Sequence, residues 1–206
     1  MRRSLVPAVL ILLAAGAPAV AAGLPAGATG TWSVDTSHSK VGFEVRHFVA
    51  DVKGRFNDFS GVVRLDAAKP EACSVELTVK VASVDTFEPQ RDAHLREPDF
   101  FDAARHPEIR FVSRKVARRS DTEWEVTGDL TMKGVTKEVL LPVTFKGITR
   151  DSWERERAVF EASLTLNRQD YGLNWSRLFD QGGFVMADDV AVSIRLEATR
   201  PTPAAK

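Results

Sequence analysis

The sequence predicts an all-β fold: an antiparallel β-barrel of about eight strands with one short helix between two of them. Three observations lead there. Apolar and polar residues alternate with a period of two along most of the chain, the signature of half-buried antiparallel strands. The alternating runs exceed the usual strand length of about five or six residues, and long twisted strands close into barrels because closure removes exposed edges. The polar face carries dense charge of both signs, such as Lys80, Arg110, Arg114, Glu125 and Glu197.

The first residues read differently. Arg2 and Arg3 precede an apolar run from Leu5 to Val20, which closes on the small-x-small pattern Ala19-Val20-Ala21. That order reads as a secretory signal peptide. The run is near the lower limit of about 17 to 20 residues for a membrane span, and no charged stop-transfer cluster follows it. Cleavage after Ala21 or Ala22 is expected, which divides the chain into a signal peptide (1–22), a disordered N-terminal segment (23–30), a barrel domain (31–200) and a disordered tail (201–206).

The strands follow in order. Val41, Phe43 and Val45 form an inward row in a strand at 39–48, joined to one at 31–35. A strand at 55–66 comes next, and the turn Asp66-Ala67-Ala68-Lys69-Pro70 separates it from 73–82, where Cys73, Val75, Leu77, Val79 and Val81 share a face. The stretch 86–106 breaks the rhythm: Pro89 starts a short helix, Pro98 ends it, and Phe100 and Phe101 supply an apolar plug. Strands at 108–118, 122–133 and 135–148 bring inward Ile109, Phe111, Trp124, Val126, Leu130, Met132, Val139, Leu141, Val143 and Phe145, with Lys133-Gly134 as a tight hairpin. The last two, at 155–167 and 188–200, contribute Phe160, Ala162, Leu164, Leu166, Val190, Val192, Ile194 and Leu196.

An outer-membrane barrel alternates too, with its apolar face outward. Mixed charge on the polar face, a single Tyr and the non-aromatic ending Ala198-Thr199-Arg200-Pro201 argue for apolar inside, hence no stable membrane insertion. The chain has 28 basic and 28 acidic residues; losing Arg2 and Arg3 leaves 26 against 28, near −2. That balance offers no basic excess for nucleic acid.

Candidate chemistry is sparse. No Gly-rich phosphate loop, nucleophile elbow or metal-spaced His pair is present, so no catalytic residue, metal or cofactor is assigned. Cys73, the one cysteine, shares an apolar face and reads as an inert small hydrophobe. Asp92 and His94 admit an acid–base reading but lack a positioned nucleophile; capping and ion pairing of the short helix is the plainer role. His47, Ser83, Asp85 and Ser113 interrupt inward rows. Each either satisfies backbone groups or meets a polar ligand group. In Asn167 to Gly172, Asn167 and Asp170 build a corner with Gly172 at positive φ, while Arg168 pairs with a carboxylate, for example Asp92, or meets a phosphate. The apolar stretch Leu173 to Met186, with Trp175, Leu178, Phe179, Phe184 and Val185, is expected to fold over a barrel mouth or against a partner.

The ordered set of motifs resembles the YceI-like, polyisoprenoid-binding family. It comprises Trp32-Ser33-Val34-Asp35-Thr36-Ser37-His38-Ser39 with Val41, Phe43, Val45 and His47, then Gly54-x-Phe56 leading into Phe59-Ser60-Gly61. Arg91-Asp92-x-His94-Leu95 and Asp99-Phe100-Phe101-Asp102 follow, then Pro107-x-Ile109-x-Phe111-x-Ser113, the run from Gly128 to Lys137, and Asn167-Arg168-x-Asp170-Tyr171-Gly172. The match runs from Trp32 to about Glu197; the Arg-rich segment Arg150 to Arg157 touches no motif and reads as an exposed strand edge.

The resemblance implies an extended lipocalin-like barrel with an elongated apolar pore. It further implies binding, transport or storage of a polyisoprenoid, an isoprenoid quinone or a similar amphiphile in the periplasm, without catalysis. The implied lumen is Val41, Phe43, Val45, Leu77, Val79, Phe111, Val126, Leu130, Phe145, Phe160, Leu164, Trp175, Val192 and Ile194, with His47, Ser113 and Arg168 as head-group contacts. Two other readings stay open: an enzyme acting on a lipid-like substrate through Asp92 and His94, and an adaptor to a membrane redox protein. A homodimer is also open; in a closed barrel it would use side-chain surfaces. Alternation by itself does not distinguish a filled barrel from a hollow one.

Overall fold

The computed structural model describes residues 24–176 and 186–200. The expected signal peptide and tail, together with Leu178, Phe179, Phe184 and Val185, lie outside them. The strands are β1 (Gly30–Val34), β2 (Lys40–His47), β3 (Ala50–Phe56), β4 (Phe59–Leu65), β5 (Ser74–Lys80), β6 (Val84–Asp85), β7 (Glu108–Arg118), β8 (Glu123–Met132), β9 (Val135–Arg150), β10 (Glu156–Asn167) and β11 (Met186–Arg200), with helix α1 at Pro89–Leu95.

Eight of them close a ring. The order is β1-β4-β5-β7-β8-β9-β10-β11, and β1 pairs back onto β11. Every pairing is antiparallel. The remaining strands extend this ring. β2 takes the same edge of β11 as β1, further along it, from Arg195↔Lys40 to Met186↔His47. β1 and β2 are thus two halves of one long wall strand, parted by the 3-10 turn Thr36–His38, as the joined strand in the sequence predicts. β3 continues β4 in the same way, and β6 pairs with β3.

The differences from expectation have local causes. β3 begins at Ala50, ahead of the expected 55, because Asp51-Val52-Lys53-Gly54 carries little apolar signal and its strand character comes from pairing with β2. The alternation slips by one in β7: the register shifts between Ser113 and Lys115, so that Val116 is buried and Lys115 exposed. Such a bulge inserts one extra residue and turns the following side chains over. A second shift, between β9 and β10, falls where Gly147 has φ +115, a conformation that L side chains rarely adopt. The Lys133-Gly134 turn has both residues at positive φ (48° and 76°), the type I′ geometry that suits the twist of a two-residue hairpin.

The two ends of the barrel differ. At the β2–β3 hairpin end, α1 starts at Pro89, and the Glu88 carboxylate accepts from the amides of Gln90 and Arg91. Leu95 and Phe101 then pack onto the core. At the other end, residues 24–30 are folded, contrary to the disordered segment expected there. Leu24 and Ala28 are buried, Trp32 is fully buried, and its indole N–H donates to the Ala28 carbonyl at 2.9 Å. Arg200 lies over the Trp32 ring at 4.5 Å and donates to the carbonyls of Gly27 and Thr29. A tryptophan that large needs a cover, and this segment supplies it.

Candidate functional site: an apolar cavity inside the barrel

Period-two alternation on eight closed strands sends one row from each strand to the axis. The registers stack those rows: Phe111↔Leu130, Val126↔Leu141, Ala162↔Val143, Leu164↔Val192 and Ile194↔Val41 are cross-strand pairs. The rows leave a cavity of about 180 Å³. On β10 its wall runs from Phe160 through Ala162 and Leu164 to Leu166, about 20 Å of strand. The space is therefore long, and its wall is almost wholly hydrocarbon.

Twelve of the fourteen residues assigned to the lumen from sequence line this cavity: Val41, Phe43, Leu77, Val79, Phe111, Val126, Leu130, Phe145, Phe160, Leu164, Val192 and Ile194. Val45 lies beyond it, paired with Val52 where β2 and β3 run toward their turn. Trp175 is also outside the wall: its ring packs on Phe100 and His94, with centroids 5.1 and 5.4 Å away. Leu24, Phe56, Val63, Leu65 and Trp124 line the cavity as well. Leu24 was hidden by the small-residue segment around it, and Trp124 was visible as an inward residue but not assigned to the lumen. The Trp124 indole N–H is buried and finds no acceptor.

The polar residues assigned to head-group contact go elsewhere. His47 has inward parity but is exposed, because β2 outruns the barrel. The Ser113 hydroxyl accepts from the Val75 amide at 2.9 Å, satisfying a backbone group. Arg168 is buried. It donates from Nε to Ala187 O, from Nη1 to the carbonyls of Leu173 and Trp175, and from Nη2 to Asp188 at 2.8 Å. Those bonds replace both the suggested pairing with Asp92 and the phosphate contact: the guanidinium clamps the corner after β10 to the start of β11. Asn167 caps that corner by accepting from the Gln169 amide, and Gly172 sits at φ +71. Ser83 donates to Lys80 O, and Asp85 accepts from Arg55 and Asn57.

Asp92 and His94 do not form a working pair. Asp92 is buried and accepts from the Thr86 amide and hydroxyl, while His94 Nε2 faces Asp99 at 2.8 Å. Cys73 is buried in the cavity wall, and burial pushes its thiol above the ordinary value, away from the reactive thiolate.

One cluster was missed. Arg157, expected on an exposed edge, is buried and faces three carboxylates: Asp35 at 2.7 Å, Asp151 at 3.0 Å and Glu197 at 3.3 Å. Asp35 also accepts from Ser37 and meets His38 Nδ1 at 2.9 Å. The motif Asp35-Thr36-Ser37-His38 therefore locks the bend between β1 and β2 and sits apart from the lumen wall.

Comparison with known proteins agrees with this architecture. The YceI-like domain model matches residues 32–198. A UPF0312 protein of Pseudomonas savastanoi pv. phaseolicola is 38% identical over 165 residues, covering 80% of this chain and 86% of that protein. The crystal structure of Burkholderia cenocepacia BcnA aligns with TM-score 0.70 at 30% identity, over 81% of this chain and 99% of the other. A polyisoprenoid binding domain from Saccharophagus degradans implicated in plant cell wall breakdown aligns with TM-score 0.65 at 17% identity, over 82% and 98%; that likeness is one of fold.

Proposed function

We propose, on the premise that the chain belongs to the YceI-like domain family, that it is a carrier holding one long apolar chain inside the barrel: a polyisoprenoid, an isoprenoid quinone or a similar amphiphile. The observation that supports this is the cavity itself, a long space with an almost wholly hydrocarbon wall. Burying a CH₂ stabilises by about 0.8 kcal/mol, so each five-carbon unit contributes roughly 4 kcal/mol before losses. Ordering a flexible chain takes back part of that, and a few buried units suffice for binding. The Saccharophagus domain is described as polyisoprenoid binding, which fits a ligand of this shape.

The N-terminal pattern of Arg2, Arg3 and the run from Leu5 to Val20 supports export and a periplasmic place of work. There a carrier would shield an apolar chain from water while it is moved or stored. No helix among the described residues is long and apolar enough to cross a membrane.

The test is mass spectrometry of an organic extract from the purified, native-source protein. A stoichiometric isoprenoid lipid is the expected result. Recovery of no lipid, together with failure of the delipidated protein to take up an added isoprenoid quinone, would overturn the carrier reading.

A further inference from the structure

We propose that the facing residues Phe43 and Gly54 set the bore of the cavity, and that the glycine is there to seat the phenylalanine ring so that a methyl-branched chain can pass. This rests on the carrier reading above and deepens it to a choice between ligand shapes.

Phe43 on β2 and Gly54 on β3 are direct cross-strand partners. Phe43 lines the cavity. A Cβ on Gly54 would stand 2.2 Å from Phe43 Cζ and 2.7 and 2.8 Å from its two Cε atoms. The tip of the ring therefore occupies the place of the missing side chain, folded down onto the wall instead of pointing along the radius.

The other close-set glycines of the wall behave differently. At Gly61 the nearest atom to an added Cβ is the Glu76 carbonyl oxygen, at 2.7 Å; at Gly128 it is the Val112 carbonyl oxygen, at 2.5 Å, followed by Phe111 Cζ at 2.7 Å and the Ser113 Cα at 2.8 Å. At both positions neighbouring backbone approaches too closely for any side chain, whatever the nearby side chains do. At Gly54 all three nearest atoms belong to one side chain. Its requirement for glycine is a requirement of the Phe43 ring.

A methyl group at position 54 would need ordinary contact distances of 3.4–4 Å, so the ring tip must move by more than an ångström. Lateral room is limited. Val192 on β11 is Phe43's other cross-strand neighbour, and the Phe56 ring stands 5.7 Å away, itself backed by Phe101 at 5.9 Å. The open direction is the cavity. An isoprenoid carries a methyl branch in every unit and needs a wider bore than a straight alkyl chain, so a ring pushed off its seat penalises the branched chain more.

The experiment compares two probes of equal carbon number, geranylgeraniol and the corresponding straight-chain alcohol, bound to delipidated protein and followed by tryptophan fluorescence. Gly54→Ala is expected to lose about tenfold in affinity for geranylgeraniol, the effect of a methylene-sized misfit in an apolar pocket, with a smaller loss for the straight chain. Phe43→Leu in the Gly54→Ala background should restore the branched ligand. Should Gly54→Ala fail to fold, Phe43→Leu alone serves: a wider bore should improve the ratio of branched to straight binding. Equal losses for both probes, no loss, or an unchanged ratio in Phe43→Leu would each overturn the inference while leaving the carrier reading intact. Wild-type protein that binds neither probe would overturn the carrier reading, and this inference with it.

Discussion

Arg157 donates from Nη1 to the Asp35 carboxylate at 2.7 Å, joining residues 122 positions apart in the chain. It ties the start of β10 to the bend between β1 and β2. The same guanidinium serves Asp151 and Glu197, so one buried cation holds three carboxylates at one end of the barrel. Removing it leaves those anions facing one another in a partly desolvated place. Arg157→Met is expected to cost about 3–5 kcal/mol, read as a lower urea midpoint with an unchanged slope. The lumen wall is untouched, so lipid retention in the folded fraction should persist.

The same cluster sets an acid limit. Burial alone would raise the Asp35 carboxyl, but hydrogen bonds from Ser37, Arg157 and His38 together outweigh it and hold the group well below the usual carboxylate range. For Asp151 burial again acts upward, and the amides of Arg155 and Trp153 with the two arginine side chains bring it down to about 2. Both groups are more acidic folded than unfolded. Their stabilisation is complete above the unfolded value of about 4 and is lost as pH falls from there through the folded values. Urea midpoints measured between pH 7 and 2 should fall steeply below about pH 4, and Arg157→Met should flatten that limb. An unchanged acid limb in the variant would count against this account.

Leu164 stands mid-wall on β10, opposite Val192. Leu164→Asn puts an amide into the hydrocarbon surface without changing the strand's outward face. Burying an unpaired amide against the ligand costs about 1–3 kcal/mol. Organic extracts of the variant should contain less than a tenth of the wild-type lipid, with an unchanged far-ultraviolet circular dichroism spectrum.

Arg168 holds the corner of Asn167–Gly172 against residues on both sides of it, through three carbonyls and Asp188. Arg168→Lys keeps the charge and loses the fork, since an ammonium cannot reach the same set of acceptors. Destabilisation of about 2–4 kcal/mol is expected. Differential scanning calorimetry should show it, and the loss of ligand affinity should be the same for phosphate-headed and neutral isoprenoids. A loss confined to the phosphate-headed ligand would instead make Arg168 a head-group contact.

Much of the wall was legible beforehand. β7 through β11 lie within a few residues of their expected spans, because alternation is a local property and these strands carry it over most of their length. Where the local signal is thin, pairing decides: β3 at Ala50–Phe56 is a strand because β2 lies beside it. Val116 is out of phase with Ile109 and Phe111, but only the pairing with β8 places the slip between Ser113 and Lys115.

The residue sequence by itself determined the closed antiparallel barrel, the inward rows and the family, because period-two burial and an ordered set of motifs are properties of the chain read along its length. Only the tertiary structure decided that the barrel is hollow, that Arg157 and Arg168 are buried clamps, and that Phe43 lies on Gly54. Those depend on summed side-chain volumes and on partners as far apart as Asp35 and Arg157. A cavity is the space left over when all eight walls are assembled, and no single strand contains it.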